Sequence, residues 1–190
     1  GKAIIRQDIK RLEYGIAGEK SIAFELKNSH IFMYVLHDLN LECEGLSAQI
    51  DYLVITKKLF FVIECKNLYG DIEITSSGDF IRTMEFSGRK KKEGIYSPIT
   101  QNQRHLDIIK KIKLQSSNNI LKKLLRGKYF DDFYKSLVVL ANPKTILNAK
   151  YAKKEVKEKV LRGDQLVKHI KKAIADSKDF EMSEAKTLEL

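Results

Sequence analysis

The chain has 190 residues, 43% of them hydrophobic, which is enough for one domain with a sizeable core and excludes wholesale disorder. Thirty-five Lys and Arg against 25 Asp and Glu give a formal charge of +10, pointing to polyanionic partners or to a lysine-rich solvated surface. No apolar run approaches the ~18 residues of a membrane span, no secretory signal is visible, and two cysteines, Cys43 and Cys65, make no disulfide framework.

A reducing, cytoplasmic setting is therefore the expectation. The chain opens on Gly1 rather than Met, so a segment upstream would not be seen in it. The charge is unevenly spread. Residues 1–87 carry ten Lys/Arg and thirteen Asp/Glu, residues 88–115 eight and two, and residues 116–190 seventeen and ten. A cation-binding site beside a surface that attracts polyanions gives this partition. Solvated helix faces give a similar lysine count.

Residues 1–14 are mixed and read as a short helix or an arm, and residues 15–28 as a helix. Residues 31–37 read as a strand. Residues 48–56 and 59–65, two apolar β-branched runs, read as a hairpin. Residues 71–75 and 79–86 are weaker strands around Ser76-Ser77-Gly78, and residues 87–96 read as a basic loop. Ser97 suits the N-cap, and Pro98 the first position, of a helix over 98–114. A helix is expected over 117–127, a buried strand over 136–141 stopped by Asn142-Pro143, and a helix over 152–161. An amphipathic helix over 165–176, capped by Asp164, precedes a polar tail. The order is that of an α/β fold with a mixed sheet flanked by helices.

Three charges interrupt the predicted hairpin: Asp51 in the first strand, Glu64 and Lys66 in the second. Alternation puts Glu64 and Lys66 on one face and Ile63 and Cys65 on the other. Ionised groups are expensive on a buried strand unless they pair or hold a metal. Two carboxylates and a lysine at one hairpin end can bind Mg²⁺ or Mn²⁺, with the main-chain carbonyl of Cys65 as a further ligand, and act on a phosphodiester. A buried ion-pair cluster is the structural alternative.

Glu19 shares a helix face with Ile22, Ala23 and Leu26, and Gly18 beside it admits a close neighbour. The helix dipole would equally favour an acid in a first turn. Gln101 and His105 fall in the apolar arc of the helix from Pro98, where an amide can orient a phosphate or satisfy a buried backbone group. Arg89, Lys90, Lys91 and Lys92, with Arg104 on the outer face of that helix, are candidate nucleic-acid contacts or a solvated surface. The Gly15-x-x-Gly18 segment has the wrong spacing for a phosphate-binding loop. The four histidines and two cysteines lack zinc-ligand spacing, and His37-Asp38 has no serine elbow to complete a triad.

Four segments in order resemble the successive motifs of the NERD (nuclease-related) domain of the PD-(D/E)xK nuclease superfamily. They are Gly15-Ile16-Ala17-Gly18-Glu19; Gln49-Ile50-Asp51-Tyr52-Leu53-Val54; Val62-Ile63-Glu64-Cys65-Lys66-Asn67 with Gly70; and Ser97-Pro98-Ile99-Thr100-Gln101-Asn102. Ile50 stands where the superfamily name places a proline. The resemblance covers residues 14–142 and implies a restriction-endonuclease-like α/β core in which Glu19, Asp51, Glu64 and Lys66 form the site and Gln101 supports it. Residues 143–176 are then a helical extension on that core and 177–190 a polar tail or linker. The expected function is a Mg²⁺-dependent nuclease acting on DNA. A nucleic-acid-binding module without turnover and a protein-interaction adaptor are the alternatives.

Overall fold

The computed structural model describes residues 2–115 and 129–188, so the helix expected over 117–127 lies outside the described residues. The helices and strands are α1 Lys2–Lys27, β1 Met33–Cys43, β2 Leu46–Thr56, β3 Phe60–Lys66, β4 Asp71–Ile74, β5 Phe80–Phe86, β6 Arg89–Ile95 and α2 Pro98–Gln115. There follow β7 Tyr134–Leu140, β8 Leu147–Asn148, α3 Lys154–Lys157, β9 Val160–Arg162, α4 Leu166–Asp176 and α5 Glu184–Leu188. Two mixed sheets result, with strand orders β1-β2-β3-β7-β9 and β6-β5-β4-β8. Among the described residues no helix is long and apolar enough to cross a membrane.

The chain divides into two compact units. One comprises His30–Glu64, Pro98–Leu137 and Lys168–Leu190. Its β1–β2 hairpin is longer than the sequence pattern predicts, pairing from Met33↔Thr56 to Cys43↔Leu46. The polar residues of 38–44 obscured its second half, and Asp38, at φ +54°, interrupts the ladder between His37↔Tyr52 and Leu39↔Ile50. The hairpin of β2 and β3 forms as expected, antiparallel from Tyr52↔Ile63 to Ile55↔Phe60. The Thr56 hydroxyl closes its turn, donating to the Leu59 carbonyl and accepting from the Leu59 amide. The core of this unit joins Ile50 and Val62 of the strands to Leu106 and Ile109 of α2 and to Phe130. Each such side chain contributes about 1.5–3 kcal/mol when fully buried. Within the segment expected to be a polar tail or linker, residues 182–187 make specific contacts. The Met182 amide donates to the Lys57 carbonyl, Lys57 pairs with Glu184, and Thr187 is buried.

The other unit comprises Gly1–Ser29, Cys65–Ser97 and Val138–Val167. Its first helix is one continuous element of 26 residues. Residues 2–14 contain neither Gly nor Pro and are rich in good helix formers, so of the two readings for this stretch, short helix or arm, the helical one holds, and it is continuous with the helix expected over 15–28. The β4–β5 hairpin holds Asp71↔Thr83 to Ile74↔Phe80, with Ile72, Ile74, Phe80 and Met84 buried.

The structure departs from three of the expected elements. Residues 87–96 are not a loop: β6 pairs with β5 from Phe86↔Arg89 to Phe80↔Ile95. Ser87 and Gly88, at φ +49° and +76°, make the two-residue turn that suits a twisted hairpin. The expected helix over 152–161 is a single turn, α3, followed by β9, because Val160 and Leu161 add a parallel strand beside Val138 and Val139. Asp164 does not cap α4; it lies in a 3-10 turn, and its carboxylate accepts from the Arg162 guanidinium.

Candidate active site

The β2–β3 ladder ends at Tyr52↔Ile63, with Asp51 just before Tyr52 and Glu64 just after Ile63. Glu64 is only 2% exposed and follows three residues of β3 that are wholly buried, Phe61, Val62 and Ile63. A carboxylate in such a place needs a compensating partner. One is His105 of α2, itself 8% exposed, whose Nδ1 lies 3.5 Å from Glu64 Oε2. The imidazole is a cation there only when protonated; otherwise it is a polar neighbour.

Asn102 locks α2 in the position that brings His105 to Glu64. Fully buried, it donates from Nδ2 toward the Val62 carbonyl at 2.8 Å, the Ser136 hydroxyl at 2.9 Å and the Leu137 carbonyl at 3.0 Å. The helix is thereby tied to β3 at Val62, two residues before Glu64, and to β7. Sequence reasoning assigned no role to Asn102. Its offsets of four and seven to Leu106 and Ile109 were the available signal, since they put it on the apolar stripe. Gln101, the residue expected to support the site, is half-buried at the preceding position.

The other unit carries Glu19 and Lys66. Gly18 is buried in α1, and a Cβ there would stand 2.5 Å from Asn67 Cβ and 3.3 Å from Ala141 Cβ. The missing side chain thus lets α1 lie on the end of β3, as its place beside Glu19 suggested. Asn67 secures that contact by donating from Nδ2 to the Tyr14 carbonyl at 2.5 Å, and the Lys66 carbonyl accepts from the Ala141 amide at 3.0 Å. Glu19 and Lys66, both half-buried, directly adjoin this Gly18–Asn67 contact in sequence. Cys65 is half-buried and is not in a disulfide.

The basic run is differently arranged from the expected loop. As strand residues, Arg89 and Lys91 face one side of the sheet and Lys90 and Lys92 the other. Two of the four charges are partly countered: Lys91 lies 3.5 Å from Glu93, and Lys92 3.8 Å from Glu73. The Arg82 guanidinium donates to Glu93 and holds its carboxyl below the usual carboxylate range. Arg104 is exposed on α2, in the other unit.

Two mixed sheets with flanking helices, and an Asp…Glu-x-Lys series on a central hairpin, define a nuclease-like α/β protein. The chain belongs to the nuclease-related domain (NERD) family, whose model matches residues 14–141. No curated protein and no solved structure matches it.

Proposed function

We propose that this chain is a metal-dependent nuclease hydrolysing phosphodiester bonds in DNA. Glu64 carries the reading: it is a nearly inaccessible carboxylate next to Ile63, whose ladder partner Tyr52 follows Asp51, and Lys66 lies two residues further along the strand. Among the described residues no three His, Cys, Asp or Glu side chains form a metal-holding group. Mg²⁺ does not require one, because one or two carboxylates ordinarily suffice, with waters and substrate phosphate completing the shell. Asp51, Glu64 and the Cys65 carbonyl are all hard oxygen donors and fit Mg²⁺ or Mn²⁺.

A bound cation would acidify water and neutralise charge growing on the phosphate. Lys66 supplies a further positive charge for the anionic transition state and a donor to orient water. His105, with Nδ1 3.5 Å from Glu64 Oε2, is a buried polar neighbour of that carboxylate, in the place where an outer partner of a ligand commonly stands. Glu19 and Gln101 are positioning residues in this reading, and Arg89–Lys92 with Arg104 engage phosphates.

The nearness of His105 favours a second reading, a nucleic-acid-binding module that keeps the fold without turnover, because it gives the buried carboxylate a polar neighbour other than a metal. Cleavage of single-stranded, duplex and RNA substrates with Mg²⁺ or Mn²⁺ separates the two. Turnover that Asp51→Ala abolishes supports the enzyme, whereas binding without metal-dependent cleavage supports the module.

A further inference from the structure

At the distal end of the β5–β6 hairpin two aromatic rings stand in water. Tyr69 is 53% exposed and Phe86 56%, with ring centroids 5.7 Å apart and planes inclined by 35°. Exposed aromatics are common singly. This pair is held in place from several sides. The Tyr69 hydroxyl donates to the Glu85 carbonyl at 3.4 Å. Gly70, at φ +96°, lies so close to β5 that a Cβ would overlap the Thr83 carbonyl oxygen. The Leu68 carbonyl accepts from Asn142 Nδ2 at 3.0 Å and from the Thr145 hydroxyl at 2.8 Å. Phe86 immediately precedes the tight turn at Ser87-Gly88 and pairs with Arg89 across it.

The charge around the pair has one dominant sign. Phe86 stands directly opposite Arg89, and Met84 opposite Lys91, so both cations share the face of Phe86. Arg82 on that face is paired with Glu93, which also lies near Lys91. Three cations to one carboxylate leave that face positive. Lys90 falls on the opposite face, across from Glu85.

We propose that Tyr69 and Phe86, flanked by Arg89 and Lys91, form a stacking platform for an unpaired base of a single-stranded nucleic acid. Base faces are available in single strands and at strand ends, but are covered inside a duplex. A base adds to the outer face of the ring pair, and its neighbouring phosphates meet Arg89 and Lys91. The proposal rests on the nucleic-acid reading above and narrows it: the preferred ligand presents unstacked bases.

The test is fluorescence anisotropy in EDTA at low salt, with a labelled oligothymidylate and a duplex of the same length. Phe86→Ala and Tyr69→Ala should each weaken single-strand binding by about 5- to 150-fold, the range for loss of one stacked base. Phe86→Trp should restore it, and duplex binding should change less than about 2-fold. Unaltered thermal unfolding shows that the hairpin has not collapsed. Equal binding by parent and alanine variants, or equal loss for duplex and single strand, overturns the proposal. So does a parent that binds no oligonucleotide; capture of a protein by the same rings would then be the alternative use of the patch. Cleavage with Mg²⁺ is scored separately. A Phe86→Ala protein that cleaves and binds like the parent sinks the platform alone. A parent that never cleaves, yet loses single-strand binding on Phe86→Ala, sinks the nuclease reading alone.

Discussion

Asn102→Ala should destabilise the protein by about 3 kcal/mol, from the hydrogen bonds it removes. The amide serves three buried acceptors with two hydrogens: the carbonyls of Val62 and Leu137 and the hydroxyl of Ser136. Alanine leaves both carbonyls without this donor, and an unsatisfied buried group costs about 1–3 kcal/mol. The hydroxyl can rotate toward another partner, so it adds little. In a chain of this size 1 kcal/mol moves the melting temperature by about 2–4 °C, so a fall of about 6–12 °C is expected. Asn102→Asp is the sharper perturbation. It is nearly isosteric, but it turns carboxylate oxygens toward the same carbonyls, and its loss should exceed that of alanine. Thermal unfolding followed by circular dichroism measures both. If Asn102→Ala melts within about 1 °C of the parent, or Asn102→Asp is the milder change, then α2 is not held to β3 and β7 by this amide. Metal-dependent cleavage should fall along with stability, since Asn102 sets the helix that carries His105 to Glu64.

Lys66→Ala should abolish cleavage while metal and DNA binding survive, as expected of a group acting on the transition state more than the ground state. A stable variant that cleaves as fast as the parent refutes that role, and a fall of roughly 3–5 kcal/mol without selective loss of activity would mark a structural ion pair instead. Gly70→Ala should unfold the protein at a lower temperature, since its φ of +96° and the Thr83 carbonyl leave no place for a Cβ; strain of this kind costs about 1–3 kcal/mol before any clash is counted. A parent-like melting temperature would show that loop 67–70 moves away from β5 without penalty. Reversing Lys90, Lys91 and Lys92 to Glu should weaken DNA binding and flatten its salt dependence by about 0.7–0.9 for each phosphate no longer neutralised. Lys91 and Lys92 already face carboxylates, so the change should fall short of the value for three phosphates. An unaltered slope would place the DNA surface elsewhere.

What the sequence made legible follows from what its pattern could encode. The β2–β3 hairpin was readable because apolar β-branched runs report burial, and Asp51, Glu64 and Lys66 stood out because they break those runs. Gly18 was readable as a place of close approach, though only the fold reveals Asn67 as the neighbour. Strand β6 was hidden because Arg89–Lys92 face solvent on an edge, where hydrophobic alternation is absent and lysines protect an exposed ladder. Only the Ser87-Gly88 turn betrayed it. Asn102 was hidden for the opposite reason: an amide on a helix reads as surface until the acceptors it meets, from segments 34 to 40 residues away, are brought to it.

The same distinction applies to the candidate site. Residue types and spacing could nominate Glu64, but its physical significance comes from 2% exposure and a histidine 3.5 Å away, both products of tertiary packing. That packing makes the carboxylate's environment the variable to measure. If a divalent cation is its natural partner, adding Mg²⁺ or Mn²⁺ should raise the melting temperature of the parent, because a ligand bound only by the folded state stabilises it by mass action. Glu64→Gln should lose that rise. If His105 is the whole of its compensation, the cations leave the melting temperature unchanged, and Glu64→Gln and His105→Ala become strongly non-additive in stability.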